Sequence, residues 1–306
     1  MSASREGRFP PMTEIAVVAH SGKTLGGGLE ELRATLAARG HRKPIWYEVP
    51  KSKKAPDAVR KAIKDGATRV FVWGGDGMVQ RCIDVLAGSE TELAILPAGT
   101  GNLLASSLGI PTDLAKAVAI GLEGIRRRLD VGVMNGEHFA AMAGAGFDAV
   151  IADTKGKAKK RLGRLAYVGS GVKGMFARRL WMSVRLDDAT WFEGKASCLL
   201  IGNIGTITGG IPVFTDASPF DGRLDVGVVT ARSAFQWLRV FSRVAQGRPD
   251  RSPLVDIAQA TKIVVEFERK QSYELDGGSR AAVKRLDVHV EAGALNVCVP
   301  GAVESA

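Results

Sequence analysis

The sequence predicts an α/β fold with a parallel sheet in its N-terminal part, followed by an antiparallel β-rich part. Three observations lead there. Apolar runs and helical patterns alternate at least four times up to Leu103, as in a parallel sheet with helices on both faces. Beyond Arg126 the pattern changes to short β-like runs separated by Asn135-Gly136, Asp221-Gly222 and Asp276-Gly277 turns. Glycine-containing segments follow three of the early strands, on the side where such sheets bind ligands.

Residues 1–13 read as a polar, proline-containing tail. The first strand, Glu14 to Ala19, ends at His20-Ser21-Gly22-Lys23. Leu29, Leu32 and Leu36 recur at helical spacing, so a helix spans Gly28 to Arg39, with Gly40 placed to cap it. A strand from Pro44 to Val49 and a helix from Pro56 to Lys64 follow, the latter stopped by Asp65-Gly66. The strand Arg69–Trp73 is short, apolar and β-branched, and runs into Gly74-Gly75-Asp76-Gly77. A helix over Met78–Leu86 precedes a strand over Glu92–Leu96. That strand ends in Pro97-Ala98-Gly99-Thr100-Gly101-Asn102, and another helix starts near Leu103. The later β-like runs are Leu129–Val133, His138–Met142, Trp181–Leu186, Ser197–Asn203, Leu224–Val229, Ile263–Phe267, Leu286–Val290 and Asn296–Val299. Helical stretches interrupt them near 158–177 and 232–246. The expected division is an α/β domain over 1–127 and a β-rich domain over 128–289.

Composition narrows the function classes. The chain has 306 residues, 45% hydrophobic and 24% charged, which suits a folded globular protein and argues against disorder. The longest apolar runs are far short of the about 20 residues a membrane-spanning helix needs. The N-terminus lacks the apolar core of an export signal. Cys82, Cys198 and Cys298 are odd in number and far apart, so a disulfide framework is excluded and a reduced, cytosolic compartment is expected. The four histidines are scattered. A net charge of +10 favours an anionic partner: nucleic acid, nucleotide phosphates or a membrane surface.

The glycine segments decide among these. In Gly74-Gly75-Asp76-Gly77, glycines after a buried strand let backbone N–H groups approach a phosphate, and the carboxylate suits magnesium or a hydroxyl proton. An ordinary strand-to-helix turn explains the same residues. In Leu96-Pro97-Ala98-Gly99-Thr100-Gly101-Asn102, Thr100 and Asn102 offer polar atoms to a phosphate or ribose, while Asn102 equally suits a helix N-cap. Two such segments in adjacent βα units point to nucleotide binding. Ser21-Gly22-Lys23-Thr24 is not a P-loop, because Val17 stands where that motif needs glycine. Ser21, Gly22 and Lys23 remain candidates for phosphate contact. The first βα turn lacks GxGxxG, against a dinucleotide dehydrogenase. A nucleic-acid partner accounts for the charge but not the glycine loops, and no such binding motif is present.

The Gly-Gly-Asp-Gly and Leu-Pro-Ala-Gly-Thr-Gly-Asn pair resembles the diacylglycerol kinase catalytic family, which includes bacterial lipid kinases and sphingosine and ceramide kinases. Nearly the whole chain is covered by the resemblance. Gly144-Ala145-Gly146-Phe147-Asp148 is similar to an early second-domain segment, Pro219-Phe220-Asp221-Gly222-Arg223-Leu224-Asp225 to the Asp-Gly-x-Leu strand, and Leu275-Asp276-Gly277 to the late Asp-Gly turn. The resemblance implies an α/β nucleotide-binding domain and a β-sandwich-like domain with a cleft between them, and a tail near 290–306 that returns to the first. It implies ATP, magnesium and transfer of phosphate to a lipid hydroxyl. Asp76 is then the base or magnesium-organising carboxylate, with Asp276 second. Gly74, Gly75, Gly77, Gly99, Thr100, Gly101 and Asn102 bind nucleotide. Asp221 matches a structural-metal position, with the backbone carbonyls of Ser218 and Arg223, although a plain β-turn fits it equally.

Four departures bear on the acceptor and the base. Only Ser21-Gly22 is kept of the family's Asn-Pro-x-Ser-Gly loop. Met78 replaces the threonine of GGDGT, and Leu103 follows Asn102; both look more like the sphingosine-kinase branch. Gly278 stands where some bacterial members have a glutamate base. Diacylglycerol is the leading acceptor and a sphingoid base or ceramide the next. A soluble kinase of the NAD kinase type and a catalytically inactive relative are the rivals. Residues 155–164 carry six positive charges and no acid. Lys157, Lys160, Arg161 and Arg164 are thereby expected to dock the protein reversibly on the cytoplasmic face of a membrane. A homodimer is left open. For the helix at 234–246, core packing is expected.

Overall fold

The computed structural model of the chain describes residues 14–146, 179–207 and 210–301. Its first half holds four parallel strands: β1 (Ile15–His20), β2 (Ile45–Val49), β3 (Arg69–Gly74) and β4 (Glu92–Pro97). They lie in the order β2-β1-β3-β4. β3 is buried along its whole length, and β1 and β4 at all but one residue each. Both faces of these strands are covered, which is why they read as unbroken apolar runs. The connections are α1 (Gly28–Ala38), α2 (Ala55–Lys64) and α3 (Asp76–Leu86). α3 buries Met78, Val79, Cys82, Ile83 and Leu86, one stripe at helical spacing. α4 (Leu103–Ser107) and α5 (Leu114–Glu123) follow β4. Asp113 caps α5 by accepting the Lys116 N–H at 2.8 Å. The sequence reading misses α5.

The second half comprises β5 (Ile125–Met134), β6 (Glu137–Phe139), β7 (Met142–Ala145), β8 (Leu180–Leu186), β9 (Ala189–Ala196) and β10 (Cys198–Gly202). Two short strands, β11 (Thr206–Ile207) and β12 (Ile211–Pro212), precede β13 (Leu224–Val229). Then come α6 (Ala234–Ala245), β14 (Val255–Ala260), β15 (Lys262–Leu275) and β16 (Gly278–Val299). Pairings among these strands are antiparallel, giving the β-sandwich-like half.

Several elements differ from expectation. The run His138–Met142 is two strands, because the amides of Ala140 and Ala141 turn to a carboxylate instead of a neighbouring strand. The runs Leu286–Val290 and Asn296–Val299 are one strand, β16, with a register shift between Glu291 and Leu295. The sequence reading misses β9 and β14, whose small and scattered polar residues show no clear alternation. α6 does not pack into the core as expected: Phe235, Leu238 and Phe241 are exposed. The expected helix near 158–177, the basic run 155–164 and the residues Phe147 and Asp148 lie outside the described residues.

Two apolar cores result. One surrounds the parallel sheet and takes in Leu295, Val297, Cys298 and Val299 from β16. The other is enclosed by the antiparallel strands, around Met182, Ile201, Val226, Val265 and Leu286. β16 belongs to both. Its early part pairs with β15, and Val297 lies beside Leu93 of β4 in parallel register. Among the described residues no helix is long and apolar enough to cross a membrane.

Candidate functional site

The three glycine segments follow β1, β3 and β4, whose ends are level: Ala19 pairs with Trp73, and Gly74 with Pro97. Parallel strands deliver the loops after them to one edge of the sheet. The loops after β3 and β4 touch through glycine. A Cβ on Gly99 would lie 2.5 Å from the Gly75 Cα and 2.7 Å from Asn102 Oδ1. Here the glycines serve the contact between the two loops, beyond any approach to a ligand.

Asp76 locks that contact. Its Oδ2 accepts the Asn102 N–H at 2.8 Å and its Oδ1 the Leu103 N–H at 2.6 Å. These amides open α4, where no intrahelical acceptor exists, so Asp76 caps α4 from another element. Asn102 itself sits at φ 49°, and its side chain caps nothing. Its Oδ1 accepts the Gly99 N–H at 2.9 Å and its Nδ2 donates to the Gly99 carbonyl at 3.0 Å. The N-cap reading of Asn102 is therefore corrected, because the neighbouring carboxylate makes a stronger, charge-assisted cap.

Other candidates remain open to a ligand. Gly77 is exposed, and a Cβ there would meet nothing within 4 Å. Thr100, Gly101 and Asn102 border an open pocket, lined also by Ser106, Ile110 and Thr112. The first loop is more self-contained. Ser21 N–H donates to the Val49 carbonyl, Gly22 N–H to His20 Nδ1 and Lys23 N–H to the His20 carbonyl, at 3.0, 3.1 and 3.0 Å. The amides that Ser21, Gly22 and Lys23 would offer a phosphate are thus used within the loop and with β2. The Lys23 ammonium is what the segment still presents. The buried Trp73 indole donates to the Lys23 carbonyl at 3.3 Å and keeps this loop against β3.

The second half contributes Asp276, in the turn between β15 and β16 at φ 44°. Its Oδ2 accepts the Ala140 N–H at 2.9 Å, and its Oδ1 the N–H groups of Ala141 and Met142 at 3.0 and 2.8 Å. Burial pushes the Asp276 carboxyl up to about 6; the three amides pull it down and the Asp76 charge adds to the rise. Burial also raises Asp76, against the amides of Leu103 and Asn102. The two carboxylates, far apart in sequence, line one narrow pocket with Gly75, Val79, Asn102 and Ala141.

α3 is tied to the second half below this pocket. Gln80 Nε2 donates to the His138 carbonyl at 2.7 Å, and the His138 N–H donates to Asp84 Oδ1 at 3.0 Å. The His138 ring lies 3.3 Å from Asp84 and 3.4 Å from Glu291. The Asp84 hydrogen bond, with the Glu291 charge, raises this imidazole above its usual range despite burial. Scattered histidines gave no sequence signal for this link, which only the folded chain assembles.

Asp221 lies in a tight turn. Its Oδ1 accepts the Arg223 N–H at 3.0 Å, a local Asx turn. The turn is held by the buried Asp130, which accepts N–H groups of Gly222 and Gly293, each at 2.7 Å. Among the described residues no group of three or more His, Cys, Asp or Glu side chains converges as metal ligands. Lys157, Lys160, Arg161 and Arg164 lie outside the described residues.

The buried carboxyls set a pH dependence. Burial raises Asp225 to about 6 as well, with Gln259 opposing and Asp221 and Asp216 adding. An unfolded aspartate titrates near 3.9. Folding therefore takes up protons at Asp225 and Asp276, and their stabilising contribution is lost as pH rises through 6. His138, also raised, acts in the same sense. Lowering the pH from 7 to 5 is expected to raise stability by about 1 kcal/mol for each aspartate. Urea midpoints across this window check it: the wild type should rise and Asp225→Asn should rise less. A flat wild-type profile would refute both shifts.

Comparison with known proteins gives a consistent picture. The diacylglycerol kinase catalytic domain family matches residues 16–134, and the YegS C-terminal NAD kinase beta sandwich-like domain matches residues 141–299. A "Probable lipid kinase YegS-like" of Pseudomonas aeruginosa is 32% identical over 294 residues, covering 94% of each chain. A diacylglycerol kinase of Mycobacterium tuberculosis is 30% identical, over 67% of this chain and 69% of its own. Among solved structures, a diacylglycerol kinase of Bacillus anthracis has a TM-score of 0.78 at 22% identity, covering 96% of this chain and 99% of that one. An NAD kinase of Archaeoglobus fulgidus in complex with ATP has a TM-score of 0.51 at 12% identity, covering 93% of each. The two structural likenesses speak to the fold alone.

Proposed function

The chain belongs to the family of diacylglycerol kinases and YegS-like lipid kinases, and from this we propose that it transfers the γ-phosphate of ATP to the hydroxyl of diacylglycerol, giving phosphatidic acid. One observation carries the reading furthest: Asp76, at the junction of two glycine loops, shares a pocket with Asp276 from the other half.

Asp76 takes up the proton of the attacking hydroxyl. Two backbone amides occupy part of its carboxylate, which has about four lone-pair sites, and burial raises its basicity. Asp276, held by three amides, stands in the same pocket, where burial and the Asp76 charge raise its own carboxyl. The exposed Gly77 at the N-terminus of α3, the Thr100-Gly101 backbone and the Lys23 ammonium form the side that receives phosphate groups. Asp76 and Asp276 suit magnesium, which takes one or two carboxylates together with phosphate oxygens and water. When bound there, ATP with magnesium would supply the transferable phosphoryl group and the cation that offsets its charge. At the late turn Gly278 supplies no carboxylate. A Cβ at Gly278 would lie 2.8 Å from Arg280 Nη1, and that guanidinium is paired with Glu137. The protein acts from the cytoplasmic face of the membrane, where its acceptor resides.

The test is transfer of label from γ-labelled ATP, with magnesium, to dispersed diacylglycerol, sphingosine, ceramide and undecaprenol run side by side. Label on diacylglycerol supports the proposal. Label on sphingosine or ceramide alone moves the acceptor to the reading favoured by Met78 and Leu103. ATP binding with no labelled lipid refutes lipid transfer in favour of a soluble acceptor or an inactive relative.

A further inference from the structure

α6 is an amphipathic helix with its apolar side outward. It buries only Val240 fully, with Trp237 and Val244 half-buried beside it. Phe235, Leu238 and Phe241 are 75%, 64% and 44% exposed. At about 100° per residue these three fall within one third of the helix circumference. Arg239 and Arg243 occupy the sector between that ridge and the buried side. From Ala231 to Leu254 the chain holds five arginines and a single acid, Asp250. Two exposed phenylalanines and a leucine in one ridge are costly in water and mark an interaction surface.

We propose that α6 docks the protein on an anionic lipid bilayer. The Phe235-Leu238-Phe241 ridge enters the headgroup layer, and Arg232, Arg239 and Arg243 meet lipid phosphates. The choice of a bilayer as occupant rests on the lipid-kinase reading and on this charge. A second copy of the same face would bring like-charged arginines together. α6 follows the end of β13 where Val229 pairs with Cys198, and β7 ends next to it, with Ala145 opposite Leu199. Asp276 follows Leu275, which pairs with Ala143 two residues before that end of β7. No residue that lines its pocket belongs to α6.

The experiment is flotation of the full chain with vesicles of phosphatidylcholine alone or mixed with phosphatidylglycerol, without ATP or acceptor. Binding is thereby read independently of kinase activity, and a failed kinase assay would not alter the result. Wild type is expected to float with the mixed vesicles. Phe235→Ser, Leu238→Ser and Phe241→Ser together should weaken binding at least about tenfold. Arg239→Gln and Arg243→Gln should each weaken it roughly fivefold, on the anionic vesicles only. Thermal midpoints and turnover on detergent-dispersed lipid should not change. Wild-type flotation by both variants overturns the proposal, as does a wild type that binds neither vesicle. So does a concentration-dependent dimer that the serine variant dissolves, because the ridge would then be a self-association face. Loss in the serine variant alone, with a lowered midpoint, also overturns it.

Discussion

Asp76→Asn is expected to lower phosphate transfer at saturating ATP by about a thousandfold, within the range a positioned proton acceptor contributes. The substitution also reaches the structure. Two amides, of Asn102 and Leu103, point at the two carboxylate oxygens. An asparagine presents one oxygen and one NH₂ group, so one amide loses its acceptor and faces a donor. An unpaired backbone N–H costs about 1–3 kcal/mol, so the variant should melt earlier while remaining folded. Measuring turnover and thermal midpoint on the same preparation separates the two effects. A variant that keeps turnover within tenfold of wild type removes Asp76 from the chemistry and leaves it as the cap of α4.

Gly99→Ala is expected to be the most damaging of the glycine substitutions in these loops, and Gly77→Ala the mildest for stability. At Gly99 the new methyl would collide with the Gly75 backbone at 2.5 Å and with Asn102 Oδ1 at 2.7 Å. Backbone cannot rotate away as a side chain would, so the loops must part. Overpacking of this kind costs about 1–3 kcal/mol. Parting the loops also pulls Asp76 from the α4 amides, so activity should fall with stability. At Gly77 the methyl meets open space, so the midpoint should hold. If Gly77 faces the nucleotide, its methyl raises the KM for ATP and leaves the midpoint alone. An unchanged midpoint in Gly99→Ala would contradict the contact between the loops. An unchanged KM in Gly77→Ala would remove Gly77 from the nucleotide site.

The alternation of apolar strands and helical stripes is local and strong, so β1, β3, β4 and the helices between them were legible from composition and spacing. Strands buried on both faces have no polar residues to blur them. The two glycine segments were legible because parallel topology puts loops after strands on one edge. β9 and β14 were not, because their alanines and glycine carry little hydrophobic contrast, so no period of two stands out. α6 was misread because its apolar residues keep helical spacing whether they face protein or solvent.

By itself, the sequence determined the fold class, the edge of the sheet that carries the candidate site and the family resemblance, because each rests on residues close together along the chain. Tertiary structure alone decided what the individual side chains do. Asp76 became a cap for a helix that begins 27 residues later, and Asn102 turned back on Gly99. Asp276 was carried to the same pocket from the far end of the chain, and His138 was placed between Asp84 and Glu291. Such roles depend on which buried amides lack an acceptor once the halves pack together. A buried N–H must be paired, and the partner that folding brings within reach need not be near in sequence.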